Sequence, residues 1–162
     1  MNDQNIISKY VPNFITLLSL SSGFTSIRFS LNGEWEIAIY LILLATIFDF
    51  FDGWFARKLK SGSNFGAELD SLSDFVSFGV APSVLIYLWS THSLGSLGWG
   101  ATLFFVICSA LRLARFTADI YITNKPIDNN EYFVGLPSPA AAGLILLPLF
   151  IFFEFNLNFL KN

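Results

Sequence analysis

Residues 49–74 read DFFDGWFARKLKSGSNFGAELDSLSD, and their acids interrupt two otherwise apolar runs, about 36–60 and 66–90. Each run exceeds the roughly 20 residues that a helix needs to cross a hydrocarbon core. Asp49, Asp52 and Ala56 stand at i, i+3 and i+7 and so share one helical face; Gly66, Asp70 and Asp74, at i, i+4 and i+8, share another. Ser61-Gly62-Ser63-Asn64 between them is a turn signal. The stretch therefore predicts an antiparallel helix hairpin whose turn end gathers Asp49, Asp52, Asp70 and Asp74. Carboxylates within membrane helices are expensive and mark function. Placing the helix ends in the polar interface would make the acids cheap, but leaves their common spacing unexplained.

The rest of the chain fits this setting. Of 162 residues, 54% are hydrophobic and 13% charged, with 19 Phe, a lipid-facing composition with no room for a second, soluble domain. Three more apolar segments run over about 13–32, 97–118 and 135–156. Asn32-Gly33 and the stretch 91–98 carry turn signals, and the longest polar interval is about 118–134, with Asn124-Lys125-Pro126 and Asp128-Asn129-Asn130. The expected fold is a single all-α integral membrane domain over 1–162, a bundle of about five transmembrane helices. Lys and Arg favour the cytoplasmic side. A cytoplasmic N-terminus places Lys9, Arg57, Lys58, Lys60, Arg112, Arg115 and Lys125 inside and only Arg28 and Lys161 outside, seven against two. The acidic site then faces the cytoplasm in a multi-pass protein surrounded by membrane lipid. The N-terminal MNDQNIISKYVPN lacks a basic start running directly into an apolar core and a cleavage site, so it is expected to stay in the mature protein. The lone Cys108 is a packing residue, His92 falls on the outer side, and a net charge of -3 gives nucleic acid no partner surface.

Gathered carboxylates in a low-dielectric setting repel, so they take up protons or share cations. Mg²⁺ and Mn²⁺, hard ions with oxygen ligands, are the natural occupants. Gly53 and Ala56 are small enough to admit a ligand to the helix backbone, and equally suit helix packing. Arg57 suits a phosphate, or snorkels as a cytoplasmic anchor. A divalent-cation transporter would also use acidic helices, but a conduction path needs polar groups through the whole membrane thickness. A non-catalytic scaffold explains none of the spacing.

Asp49 to Asp74 matches D-x2-D-G-x2-A-R-x8-G-x3-D-x3-D at all eight fixed positions, and Pro12-Asn13-Phe14-Ile15-Thr16 is similar to the P-N-x-x-T that opens the first helix of the same family. The chain thus resembles the CDP-alcohol phosphatidyltransferases. The resemblance implies a two-metal site, Mg²⁺ or Mn²⁺, with Asp49, Asp52 and Asp70 on one ion and Asp49, Asp70 and Asp74 on the other. It makes Asp74 the general base, and sets Asn13, Thr16, Gly53, Ala56, Arg57, Ser63 and Gly66 along CDP-diacylglycerol. It also implies a homodimer. Members have six transmembrane helices, so five here means a fragment or a shortened form that lacks the last helix.

Two stretches bear on the acceptor alcohol. Leu111-Arg112-Leu113-Ala114-Arg115-Phe116 and the segment Phe133-Val134-Gly135-Leu136-Pro137-Ser138-Pro139-Ala140 resemble the phosphatidylserine synthase branch. Arg112 and Arg115, three apart at the cytoplasmic edge, suit the carboxylate of L-serine, or act as snorkelling anchors. Glycerol 3-phosphate would also suit paired arginines, and an inositol compound is a further alternative with the same donor chemistry. Tyr132, Phe133 and the Gly-Leu-Pro-Ser-Pro turn shape the cavity mouth or simply start the last helix.

Overall fold

A computed structural model describes residues 3–59, 63–122 and 136–155, and every described element is helical. Helix α1 covers Asp3–Leu31 and α2 covers Trp35–Lys58. Between them Gly33 takes φ 78°, a left-handed conformation that glycine adopts without steric penalty. The third apolar segment is one continuous helical path in three parts: α3 over Asn64–Asp74, a π-helical stretch over Phe75–Val80, and α4 over Ala81–Trp89. A 3₁₀ turn over Thr91–Leu94 leads into α5, Ser96–Ile122, and α6 covers Ser138–Phe155.

Among the described residues, four helical paths are long and apolar enough to cross a membrane: Tyr10–Leu31, Trp35–Lys58, Asn64–Trp89 and Ser96–Arg115. The fifth apolar helix, Ser138–Glu154, is shorter. The expected all-α membrane bundle is thus present, with four spanning-length helical paths and a further apolar helix among the described residues. α5 also runs on to Ile122, through residues whose polarity predicts a loop from about 118. A helix that has left the apolar layer needs no apolar side chains. Lys60, Ser61 and Gly62, the interval 123–135 with Lys125, Tyr132, Phe133 and Gly135, and Lys161 lie outside the described residues.

In lipid, helices associate through close backbone approach and interhelical hydrogen bonds rather than through hydrophobic burial. α1 is built for this. Ser19, Ser22, Ser26 and Ser30 form a buried stripe along it, facing α2. Ser19 Oγ donates to the Ala45 carbonyl at 3.0 Å and Ser26 Oγ to the Ala38 carbonyl at 2.9 Å, at two alanines that are fully buried. The third path docks on α1 by the same device, with Ser73 Oγ donating to the Thr16 carbonyl and Ser77 Oγ to the Ser19 carbonyl, each at 3.2 Å. Gly23 lies against Ser77 at this crossing, where a Cβ would come within 2.3 Å of Ser77 Oγ.

The π-helical stretch begins at the residue after Asp74. Its Ala81 N–H bonds to the Val76 carbonyl, and the next residue, Pro82, has no N–H to give. The extra residue per turn re-aims the path, so that Asp70 and Asp74 face the acids of α2 while Phe78, Leu85 and Trp89 enter the core with Ile42, Leu146 and Leu149. Trp89 meets Phe152 of α6 edge-on at 5.5 Å. Phe24, Tyr40, Ile47, Phe104 and Leu111 point outward, as side chains bathed in lipid should.

Candidate active site

α2 delivers Asp49 and Asp52 from its last three turns, and α3 delivers Asp70 and Asp74 from its C-terminal half. Asp49, Asp70 and Asp74 each present a carboxylate oxygen within 4.8 Å of the other two. Asp52 sits behind them, 4% exposed, close to both Asp49 and Asp70 and beside the Thr16 hydroxyl. Its Oδ2 is buried and has no hydrogen-bond partner. A buried charged oxygen without a donor is costly, and three more carboxylates close by add repulsion. A positive ion with oxygen ligands removes both penalties at once, so the donor set fits a hard divalent cation. The hairpin predicted from residues 49–74 has therefore gathered all four acids.

Around this cluster lie the flanking residues. Gly53 leaves α2 open on the side of Arg57, whose Nη1 would be 3.5 Å from a Cβ at that position. Arg57 is exposed and Ala56 half-buried, while Lys58 stacks over the Trp54 ring at 4.4 Å. At the start of α3 the Ser63 hydroxyl caps the helix by accepting from the Gly66 N–H at 3.0 Å. A Cβ on Gly66 would lie 3.1 Å from Asn13 Oδ1 and 3.2 Å from Ser63 Oγ, so both side chains lie beside Gly66. Thr16 is buried one turn along α1 from Asn13, its Oγ1 donating to the Pro12 carbonyl at 3.0 Å. Residues from two separate segments, Asn13 on α1 and Ser63 and Gly66 at the start of α3, thus border one region.

The two arginines of α5 part company. Arg112 turns inward, its Nη1 donating to Ser138 Oγ at 3.3 Å, and shares a small pocket with Asp74, Ser109 and Ser138. Arg115 is exposed and does not line that pocket. Ser71 Oγ and Thr117 Oγ1, 3.1 Å apart, fasten α3 to α5 beside it. Ser109 and Ser138 are absent from the sequence-derived site. The Gly-Leu-Pro-Ser-Pro stretch drew attention to Ser138, but no local pattern ties it to Arg112 or Asp74. His92 and Cys108 are exposed and stand apart from the cluster, His92 in the 3₁₀ turn.

A family model described as CDP-alcohol phosphatidyltransferase matches residues 9–161. Among curated proteins, the chain is 45% identical over 143 residues to the CDP-diacylglycerol–serine O-phosphatidyltransferase of Mycobacterium leprae (strain TN), covering 86% of this chain and 47% of that protein. It is 39% identical over 136 residues to the enzyme of the same name from Helicobacter pylori (strain J99), covering 84% and 55%. It is 40% identical over 151 residues to the archaetidylserine synthase of Methanothermobacter thermautotrophicus, covering 88% and 59%. The chain spans about half the length of the curated relatives it matches. The acids that face one another across the hairpin are among the eight fixed positions of the sequence pattern, and with residues 9–161 matched as a whole the chain belongs to the CDP-alcohol phosphatidyltransferase family.

Proposed function

We propose that this chain transfers a phosphatidyl group from CDP-diacylglycerol to L-serine, giving phosphatidylserine and CMP, at a two-metal site on the cytoplasmic face. The observation that carries the reading is the convergence of Asp49, Asp70 and Asp74 within 4.8 Å beside a pocket that also holds Arg112. The names of the relatives, serine O-phosphatidyltransferases and an archaetidylserine synthase, support serine over glycerol 3-phosphate or an inositol compound. The arrangement of basic residues supports the cytoplasmic face.

Asp49, Asp52 and Asp70 would hold one Mg²⁺ or Mn²⁺ and Asp49, Asp70 and Asp74 the second. When bound, such ions neutralise the pyrophosphate and stabilise charge on departing CMP. The chain's own residues do the rest. Asn13, Thr16, Gly53, Ala56, Ser63 and Gly66 border the cytidine diphosphate portion, and Arg57 pairs with phosphate. Arg112 holds the serine carboxylate so that the serine hydroxyl points at Asp74. Asp74 accepts the hydroxyl proton as the serine oxygen bonds to the phosphorus of the phosphatidyl group, and the bond from that phosphorus to the CMP oxygen breaks. One displacement completes the transfer, with no covalent enzyme intermediate. The test is to give purified protein CDP-diacylglycerol with L-serine, glycerol 3-phosphate or myo-inositol and follow CMP release. Serine alone should drive it; release with glycerol 3-phosphate and none with serine would overturn the acceptor assignment.

A further inference from the structure

Ser138 has the chemistry of a connector. A hydroxyl carries one donor and two acceptor lone pairs, whereas a guanidinium only donates. Because Arg112 Nη1 donates to Ser138 Oγ at 3.3 Å, the serine proton remains available for an acceptor, and Asp74 lines the same pocket. Arg112, Ser138 and Asp74 come from three different helices and line one pocket.

The hydroxyl is also rigidly mounted. Ser138 is the first residue of α6, whose opening hydrogen bond runs from the Ala141 N–H to the Pro137 carbonyl at 3.0 Å. Pro137 and Pro139 on either side restrict the backbone at this turn. Further along, Leu146 and Leu149 are buried in the core and Phe152 packs on Trp89, so α6 cannot easily shift relative to α4. Arg112, with five N–H groups on its fork, spends one on Ser138 and keeps others for a ligand.

We propose that Ser138 is a positioning residue of the acceptor site, accepting from Arg112 and donating to Asp74, so that it sets the spacing between the cation that holds the acceptor's carboxylate and the base that takes its hydroxyl proton. This rests on the serine transfer proposed above. Ser138 forms no bond to the reacting atoms. It acts by preventing Arg112 from swinging out to solvent, as Arg115 does, and by holding the Asp74 carboxylate in one orientation.

The experiment uses Ser138→Thr and Ser138→Val, which match in shape and differ in the hydroxyl, together with Ser138→Ala alone and combined with Arg112→Leu. CMP release is measured with serine varied at saturating CDP-diacylglycerol and Mn²⁺, then with the donor varied. Loss of a hydrogen bond to a charged group should raise the serine KM roughly tenfold in the Val and Ala variants, with a lower kcat. The donor KM should stay at the wild-type value and Ser138→Thr should keep most of the activity. In the Arg112→Leu background Ser138→Ala should add little, because the two act as a unit. A serine KM unchanged in Ser138→Val, or effects of Ser138→Ala and Arg112→Leu that simply multiply, overturns the inference while the transfer reading stands. A wild-type protein that releases CMP with no alcohol overturns both.

Discussion

Replacing Gly23 by Ala would place a methyl group 2.3 Å from Ser77 Oγ and 2.7 Å from both Ser77 Cα and Cβ. Rotating the Ser77 side chain relieves only the first of these contacts. The Cα belongs to the backbone, so α1 and the π-helical stretch must move apart. Overpacking of this kind costs about 1–3 kcal/mol, and separation also stretches the Ser77-to-Ser19 hydrogen bond, now 3.2 Å, worth about 0.6 kcal/mol between membrane helices. A total of about 1–3.5 kcal/mol should lower the thermal midpoint by roughly 2–14 °C for a chain of this length. Asp74 lies just before Ser77 on the same path, so the displacement also reaches the site. Catalytic geometry tolerates little, and kcat should fall on the order of tenfold or more. Thermal unfolding in detergent micelles and CMP release report the two effects separately. Adding Ser77→Gly removes the Oγ and Cβ contacts and should recover part of both losses. A Gly23→Ala protein as stable as wild type, or a double variant no better than the single one, would refute the packing argument.

The other expectations are local. Gly66→Ala puts a methyl 3.1 Å from Asn13 Oδ1 and 3.2 Å from the Ser63 cap; it should raise the KM for CDP-diacylglycerol severalfold and leave the serine KM alone, as paired saturation curves would reveal. Arg112→Leu should raise the serine KM roughly tenfold or more, from loss of about 1.5–3 kcal/mol of charge-assisted contact, whereas Arg115→Leu should change it little; equal effects would mean that both arginines reach the acceptor. Asp74→Asn should abolish CMP release yet keep some donor binding through the ion held by Asp49, Asp52 and Asp70, while Asp49→Ala should lose both; indistinguishable donor binding in the two variants would deny Asp74 a separate role.

The hairpin and its acid cluster were legible because helical periodicity alone decides which residues share a face, and a short turn leaves two such faces only one way to meet. Fold class followed from apolar run length for the same reason. The π-helical stretch was not legible: it answers to Pro82 withholding an N–H and to the close fit of Ser77 on Gly23, and that second partner is remote in sequence. The end of α5 was set at about 118, where the polar interval with Asp128-Asn129-Asn130 is read to begin, whereas the helix runs on to Ile122, fastened to α3 just before that point by Thr117 and Ser71. Arg112 and Arg115 look equivalent in a sequence. At about 100° per residue they stand about 60° apart around α5, enough for one to enter the pocket and the other to face out. Ser138 had no local signal, since its partners lie on other helices.

The central claim is that these carboxylates work by holding divalent cations for phosphatidyl transfer to serine. It is tested most directly by stripping the purified protein with a chelator, supplying CDP-diacylglycerol and L-serine, and following CMP and phosphatidylserine together as Mn²⁺ or Mg²⁺ is restored. No product should form in chelator, and equal amounts of both products should form once metal returns; full turnover in chelator, or CMP release without phosphatidylserine, would contradict metal-dependent transfer to serine.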